Sequence, residues 1–277
     1  MSFRKYAVMV AALIVPNVAS AQTVGEILVE DWRDVGKDVL AVWGSPFDAK
    51  GRDWLLFGGV LAATGVSMFA DQSVSDWAIR NKNSDFFRAL GPVRRRGFLF
   101  AGKYVVPPIA AAYVVGVAIN NRDLRDLVTG CASSFAANSV LRKVTYKLVG
   151  RARPDTMPDD PQHWAGPKWD SDWMMHSFPA GHFANGMACV TYVNERFRMG
   201  AVEPALYALA GAIGIGRLAD EAHWTSDSVL GGFLGFAIGR EVARRSLSRL
   251  NEDRANKTSF QITPDLNGMT LNWRWTF

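Results

Sequence analysis

Histidine and cysteine are scarce in this chain: four of one and two of the other among 277 residues. No cysteine–histidine cluster has the spacing of a metal site, so no zinc module is expected. An excess of charge of one sign is also missing. The formal charge is +5 and falls to +3 if Arg4 and Lys5 leave with a signal. Basic residues are scattered apart from Arg94, Arg95 and Arg96. That excludes a nucleic-acid footprint, and the triplet reads as a solvated or headgroup-facing patch. No internal repeat and no long linker occurs. Clean apolar runs of spanning length are lacking as well, a span needing about 20 residues. The nearest, 98–119, carries Lys103 and the pair Pro107-Pro108, while 124–149 carries several charges.

What is present is apolar and helical in character. Hydrophobic residues make up 49% of the chain, which excludes disorder over most of its length. Gly and Ala inside the apolar stretches suit closely packed helices better than a sheet. Arg4 and Lys5, the apolar run from Tyr6 to Val15, and Ala19-Ser20-Ala21 form the pattern of a cleaved secretory signal over 1–21. An amphipathic segment follows over 22–52. Residues 53–250 form the main unit, with helical segments near 53–70, 98–119, 124–149, 182–197, 203–217 and 226–246. The expectation is an all-α bundle of about six core helices. In the tail, 251–277, Met269, Leu271, Trp273, Trp275 and Phe277 alternate with polar residues after Asn267-Gly268, so a short β-hairpin is expected there. Cys131 and Cys189 both fall in apolar helical segments and are read as buried free thiols, although an oxidising compartment permits a disulfide.

Three short stretches carry the chemistry. In the third, Gly216-Arg217 precedes His223, and Asp227 follows four residues later. On one helical turn His223 and Asp227 face the same way, so the carboxylate is expected to accept the Nδ1 proton and leave Nε2 free for attack. Arg217 offers a planar fork for phosphate oxygens, and Ser226 or Asp227 is expected to cap the last helix. In the second, Ser177-Phe178-Pro179-Ala180-Gly181-His182, a helix begins at Gly181. Its free amides favour an anion, and His182 can protonate a leaving oxygen. The first, Gly150-Arg151-Ala152-Arg153-Pro154, adds two guanidiniums. Each stretch alone has an ordinary explanation as a cap, a helix start or a surface turn. The combination does not.

Together the three stretches, over about residues 140–240, resemble the type 2 phosphatidic acid phosphatase superfamily. That group includes bacterial acid phosphatases, lipid phosphatases and vanadium haloperoxidases. Its pattern is Lys, six residues, Arg-Pro; then Pro-Ser-Gly-His; then Ser-Arg, five residues, His, three residues, Asp. The resemblance implies a helical core in which the motifs converge on one phosphate. It implies His223 as nucleophile, Asp227 as its orienter and His182 as acid. Arg153, Arg217 and the Gly181 amide would hold phosphate oxygens, with no metal needed for hydrolysis. Three positions depart from the pattern. The family lysine falls on Tyr146, with Lys147 adjacent and expected to reach the phosphate. The two serines fall on Ala180 and Gly216. One lost donor to a developing oxyanion lowers rate by about 10²–10³, so a working but slow or unusually selective enzyme is expected.

Between the first two motifs, residues 155–176 contain Trp164, Trp169, Trp173, Met174 and Met175 with five aspartates. This loop is read either as a lid or specificity wall, or as a surface loop tucked by its tryptophans. His163 and His176, also in it, are read as non-catalytic. The expected function is hydrolysis of a phosphate monoester or diphosphate, with lipid-linked substrates favoured. The expected location is the periplasm or the periplasmic face of a bacterial membrane. The expected partner is a phosphorylated small molecule or lipid, with membrane-surface contact and no nucleic acid. The alternatives are a haloperoxidase with vanadate as its cofactor, or a non-catalytic phospholipid-binding envelope protein of the same fold.

Overall fold

A computed structural model describes the backbone of residues 23–91, 102–167, 172–265 and 268–275, with side chains for 23–91, 107–167 and 172–253. The expected signal, Arg94 to Arg96, Trp169 and the side chains of the C-terminal hairpin lie outside that set. Nine α-helices make up most of the described residues: α1 (Val24–Gly44), α2 (Gly51–Met68), α3 (Asp71–Asn81), α4 (Asp85–Ala89), α5 (Gly102–Ala118), α6 (Arg122–Val149), α7 (Gly181–Phe197), α8 (Glu203–Ala219) and α9 (Thr225–Lys257). The fold is all-α. Backbone pairing of Thr258–Asp265 with Gly268–Trp275 follows α9; among the described residues no strand enters the helical body.

The body is built around α7. Along α9, Gly231, Gly235 and Gly239 recur every four residues and so share one face. A Cβ at any of the three would collide with the carbonyl oxygen of Ala180, Ala184 or Ala188 in turn. The two helices therefore meet backbone to backbone. Phe183 fits between Gly214 of α8 and Gly232 of α9, because both glycines leave room for its ring. On the other side Cys131 and Ala137 of α6 join Ala188 and Tyr192 of α7 and Val242 of α9 in one buried cluster.

Cys131 and Cys189 are bonded to each other, with Cα atoms 4.7 Å apart, joining α6 to α7. This corrects the reading of two free thiols. Helical burial and pairing are compatible here because α6 and α7 pack side by side and bring the two positions together.

The N-terminal amphipathic segment is α1, which starts with a capping box from Thr23 to Glu26. It docks through charge as well as apolar contact. Asp31 accepts from Tyr113 and Arg125, and Asp38 accepts both Nη atoms of Arg249. At the other end of the body, α6 stops at Gly150, whose φ of 58° suits glycine and whose Cβ would strike the Gly166 carbonyl at 2.6 Å. The chain leaves that cap directly into Arg151 and Arg153.

Candidate active site

His223 stands at the entry to α9 and is 1% exposed. Its Nδ1 lies 2.7 Å from the carbonyl oxygen of Ser177. A carbonyl only accepts, so Nδ1 carries the proton and Nε2 presents a lone pair. Nε2 is buried and has no hydrogen-bond partner among the described residues. Burial first, then the charges of Arg153 and Arg217, hold this imidazole well below its usual pKa. It is therefore unprotonated at neutral pH.

Asp227 does not orient His223 in the way the spacing suggests. Its Oδ2 is 3.9 Å from Nδ1, too far for a hydrogen bond. That oxygen instead accepts the Ser177 hydroxyl and the Trp224 amide, the latter at 2.7 Å, while Oδ1 accepts Arg151. Asp227 thus acts through Ser177, holding the residue whose carbonyl holds the histidine. The reason is local. His223 lies before the first residue of α9, so the i, i+4 geometry of a continuous helix does not apply. Neither Ser226 nor Asp227 caps the helix from in front. Asp227 sits in the first turn and reaches back to the Trp224 amide, and Ser226 turns to Asp71. Burial pushes Asp227 up to about 6, against the pull of Arg151.

His182 is in the first turn of α7, with its ring centre 6.4 Å from that of His223. Burial is the largest influence on it, followed by Arg217, Arg142 and Arg153, and together they push it down to about 3. The free site therefore holds two neutral imidazoles facing a cluster of guanidiniums. Arg142, Arg153 and Arg217 each keep a buried Nε without a hydrogen-bond partner among the described residues. Three guanidiniums with unused donors beside an unprotonated imidazole have the chemistry to hold an oxyanion such as phosphate.

Arg142 was not legible from the motifs. It lies across the start of α7, where a Cβ on Gly181 would collide with its Cδ and approach its Nη1 at 2.8 Å. Gly181 is thus needed to admit a guanidinium, in addition to offering an amide. Arg142 is a cation beside Gly181 and His182 that the motifs did not single out. The helix α6 continues unbroken to Val149, so Asn138, Arg142 and Tyr146 share its inward face at four-residue steps, and Lys147 is turned by about 100° from Tyr146. Tyr146 gives its hydroxyl to the Pro179 carbonyl and stacks on His176 at 4.8 Å.

Arg151 does not face the site as a free fork. Its side chain is fully buried and bonded to Ser226, Asp227, Asp71 and the Pro161 carbonyl, between the rings of Trp164 and Trp224. The loop after it is partly tucked. Trp164 packs on Phe178, and the loop backbone pairs with Gly150, Ala152 and Arg153. Trp173 stays 56% exposed with the Arg153 guanidinium 5.0 Å from its ring. Among the described residues of the loop, that end borders Arg153.

Residues 124–249 match the family model of the PAP2 superfamily. That stretch is a PAP2 domain. It contains His182, His223, Asp227, Arg142, Arg153 and Arg217, and the PAP2 superfamily includes phosphatases. A solved structure, described as the first transmembrane PAP2 type phosphatidylglycerolphosphate phosphatase from Bacillus subtilis, aligns at 17% identity with a TM-score of 0.45. The alignment covers 73% of this chain and 95% of that one. No curated protein matches the chain.

Proposed function

We propose that this protein is a phosphatase that hydrolyses a phosphate monoester or diphosphate through a phosphohistidine on His223, without a metal. The match of residues 124–249 to the PAP2 superfamily supports phosphatase-type chemistry. The observation that carries the finer reading is the state of His223: proton on Nδ1, lone pair on a buried and unpartnered Nε2, with guanidiniums around it.

Nε2 attacks phosphorus as the bond from phosphorus to the leaving oxygen breaks, and His182 gives that oxygen its proton. Water then attacks the phosphohistidine, His182 takes the proton from it, and the nitrogen–phosphorus bond returns its pair to His223. Arg142, Arg153 and Arg217 hold the equatorial oxygens, whose charge grows in the transition state. His182 is neutral in the free enzyme. Burial, then the three guanidiniums, depress it, and the negative charge of a bound phosphate offsets the guanidiniums and moves His182 towards its acid form.

A lipid-linked substrate is favoured by the surface. On α2 and just past its end, Leu55, Leu56, Val66 and Phe69 are exposed at 78%, 57%, 69% and 92%, an apolar face of the kind that meets membranes. The periplasmic side of a bacterial envelope fits both this surface and the Cys131–Cys189 bond. The test is phosphate release from a panel of detergent-dispersed lipid phosphates and soluble phosphate esters, with EDTA present. Release by the wild type and loss of at least about 10³-fold in His223→Ala is the expected result. Undiminished release by that variant would refute the nucleophile assignment.

A further inference from the structure

Asp71 is a buried carboxylate that the phosphoryl-transfer steps leave unused. It opens α3, just past the 61° bend from α2, and lies outside the stretch matched to the family. It is 0% exposed. Oδ2 accepts from Arg151 Nη2 at 2.6 Å and from the Ser226 hydroxyl at 2.6 Å, and Oδ1 accepts from the Ser226 amide at 2.8 Å. Arg151 passes its other fork, Nη1, to Asp227 and to Ser226 Oγ. Asp227 takes the Ser177 hydroxyl, and the Ser177 carbonyl takes the His223 Nδ1 proton. One unbroken chain of hydrogen bonds therefore runs from the α2–α3 joint to the nucleophile.

We propose that Asp71 is a positioning residue for His223, acting through Arg151, Asp227 and Ser177. The role rests on His223 being the nucleophile. Each link removes a freedom the next one needs. The Ser177 carbonyl points at Nδ1 only while its hydroxyl stays on Asp227. Asp227 keeps that oxygen available only while its other oxygen stays on Arg151. The Arg151 fork is aimed by Asp71 and the Pro161 carbonyl. Two carboxylates sharing one guanidinium leave a net buried negative charge, an arrangement that apolar packing would replace at no loss if it served stability alone. Its far end lies instead on the atom opposite the reacting one, where an outer partner sets tautomer and ring direction.

The test uses the full chain and Asp71→Asn, which keeps the shape and removes the charge. Phosphate release is measured together with inhibition by orthovanadate and by inorganic phosphate. Vanadate would bond to Nε2 if His223 is the nucleophile, whereas phosphate would need only the guanidiniums. For Asp71→Asn, kcat should fall roughly 10- to 100-fold and vanadate inhibition should weaken about tenfold, with KM and phosphate inhibition held within about twofold. An unchanged kcat, or an equal shift of kcat, KM and both inhibitors, overturns the role. If Asp71→Asn does not fold, Ser226→Ala removes one donor to Asp71 and one acceptor for Arg151, and should show the same split at smaller amplitude. His223→Ala run in parallel separates the two ideas. Its loss of release with Asp71→Asn at the wild-type rate sinks the Asp71 role alone. Continued release by His223→Ala sinks both.

Discussion

One arginine beside His182 is passed over by the motif spacing. Arg142 contributes a guanidinium beside Gly181 and acts directly on His182, whereas Lys147 is turned away from that face. Arg142→Ala should lower kcat/KM for phosphate release by about 10²–10³-fold, while Lys147→Ala should change it by less than about threefold. Equal losses would return Lys147 to the cradle. Two hydroxyl donors of the family pattern are missing at Ala180 and Gly216, and a guanidinium offers more donors than an ammonium point charge. The other prediction at this scale concerns protons. His182 rests at about 3 because burial, then Arg217, Arg142 and Arg153, disfavour its charged form. A bound oxyanion reverses the electrostatic part of that shift. Vanadate binding at pH 5.5 should therefore be accompanied by proton uptake. Calorimetry in two buffers of different ionisation heat measures it, and zero uptake would remove His182 as the acid.

At the scale of elements, the site depends on how closely α9 lies on α7. His223 enters one helix and His182 begins the other, so the spacing of the two backbones sets the spacing of the two imidazoles. Gly231, Gly235 and Gly239 permit that approach. Gly235→Ala should force the helices apart and destabilise the fold by about 1–3 kcal/mol, read as a lower urea midpoint. It should also reduce phosphate release more than the folded fraction explains. A neutral effect on both would show that the contact has slack. The Gly- and Ala-rich composition pointed to close helices, and the helical segments expected near 124–149, 182–197, 203–217 and 226–246 coincide with α6 to α9. The joint after α2 was not legible in that way. The short α3 and α4 are set by tertiary contacts: Ala78 and Phe87 bury against Ala219 of α8 in a second small core.

For the whole molecule, two influences on acid stability oppose each other. His182 and His223 are held below the usual histidine range when folded, so the unfolded chain binds more protons below about 6.5 and stability from this source is lost as pH falls. Asp227, pushed up to about 6, has the reverse sign: its contribution is present below the unfolded carboxylate value and lost as pH rises through about 6. The histidine part can be isolated. On going from pH 7 to pH 4.5, wild type should lose about 2 kcal/mol more unfolding free energy than His182→Gln, measured by urea titration. Equal losses would mean that His182 titrates normally in the folded protein. No single helix among the described residues is long and apolar enough to cross a membrane, while α2 and α3 together pass on length and composition. The exposed apolar face of α2 therefore makes that end of the molecule the part to examine with lipid.

The sequence by itself determined the chemistry-bearing types and their order: two histidines, an aspartate and two arginines at spacings that resemble one family, on apolar helical segments. Local periodicity and motif spacing are properties of neighbouring residues, so they survive without a structure. What only the tertiary structure decided are the links between distant segments. Ser177 stands between Asp227 and His223, Arg142 stands beside Gly181 and His182, Cys131 is bonded to Cys189, and Asp71 reaches Arg151 and Ser226 from outside the matched stretch. Each depends on which helix faces meet and how closely. That is set by packing summed over the whole core, and no short window of the chain contains it.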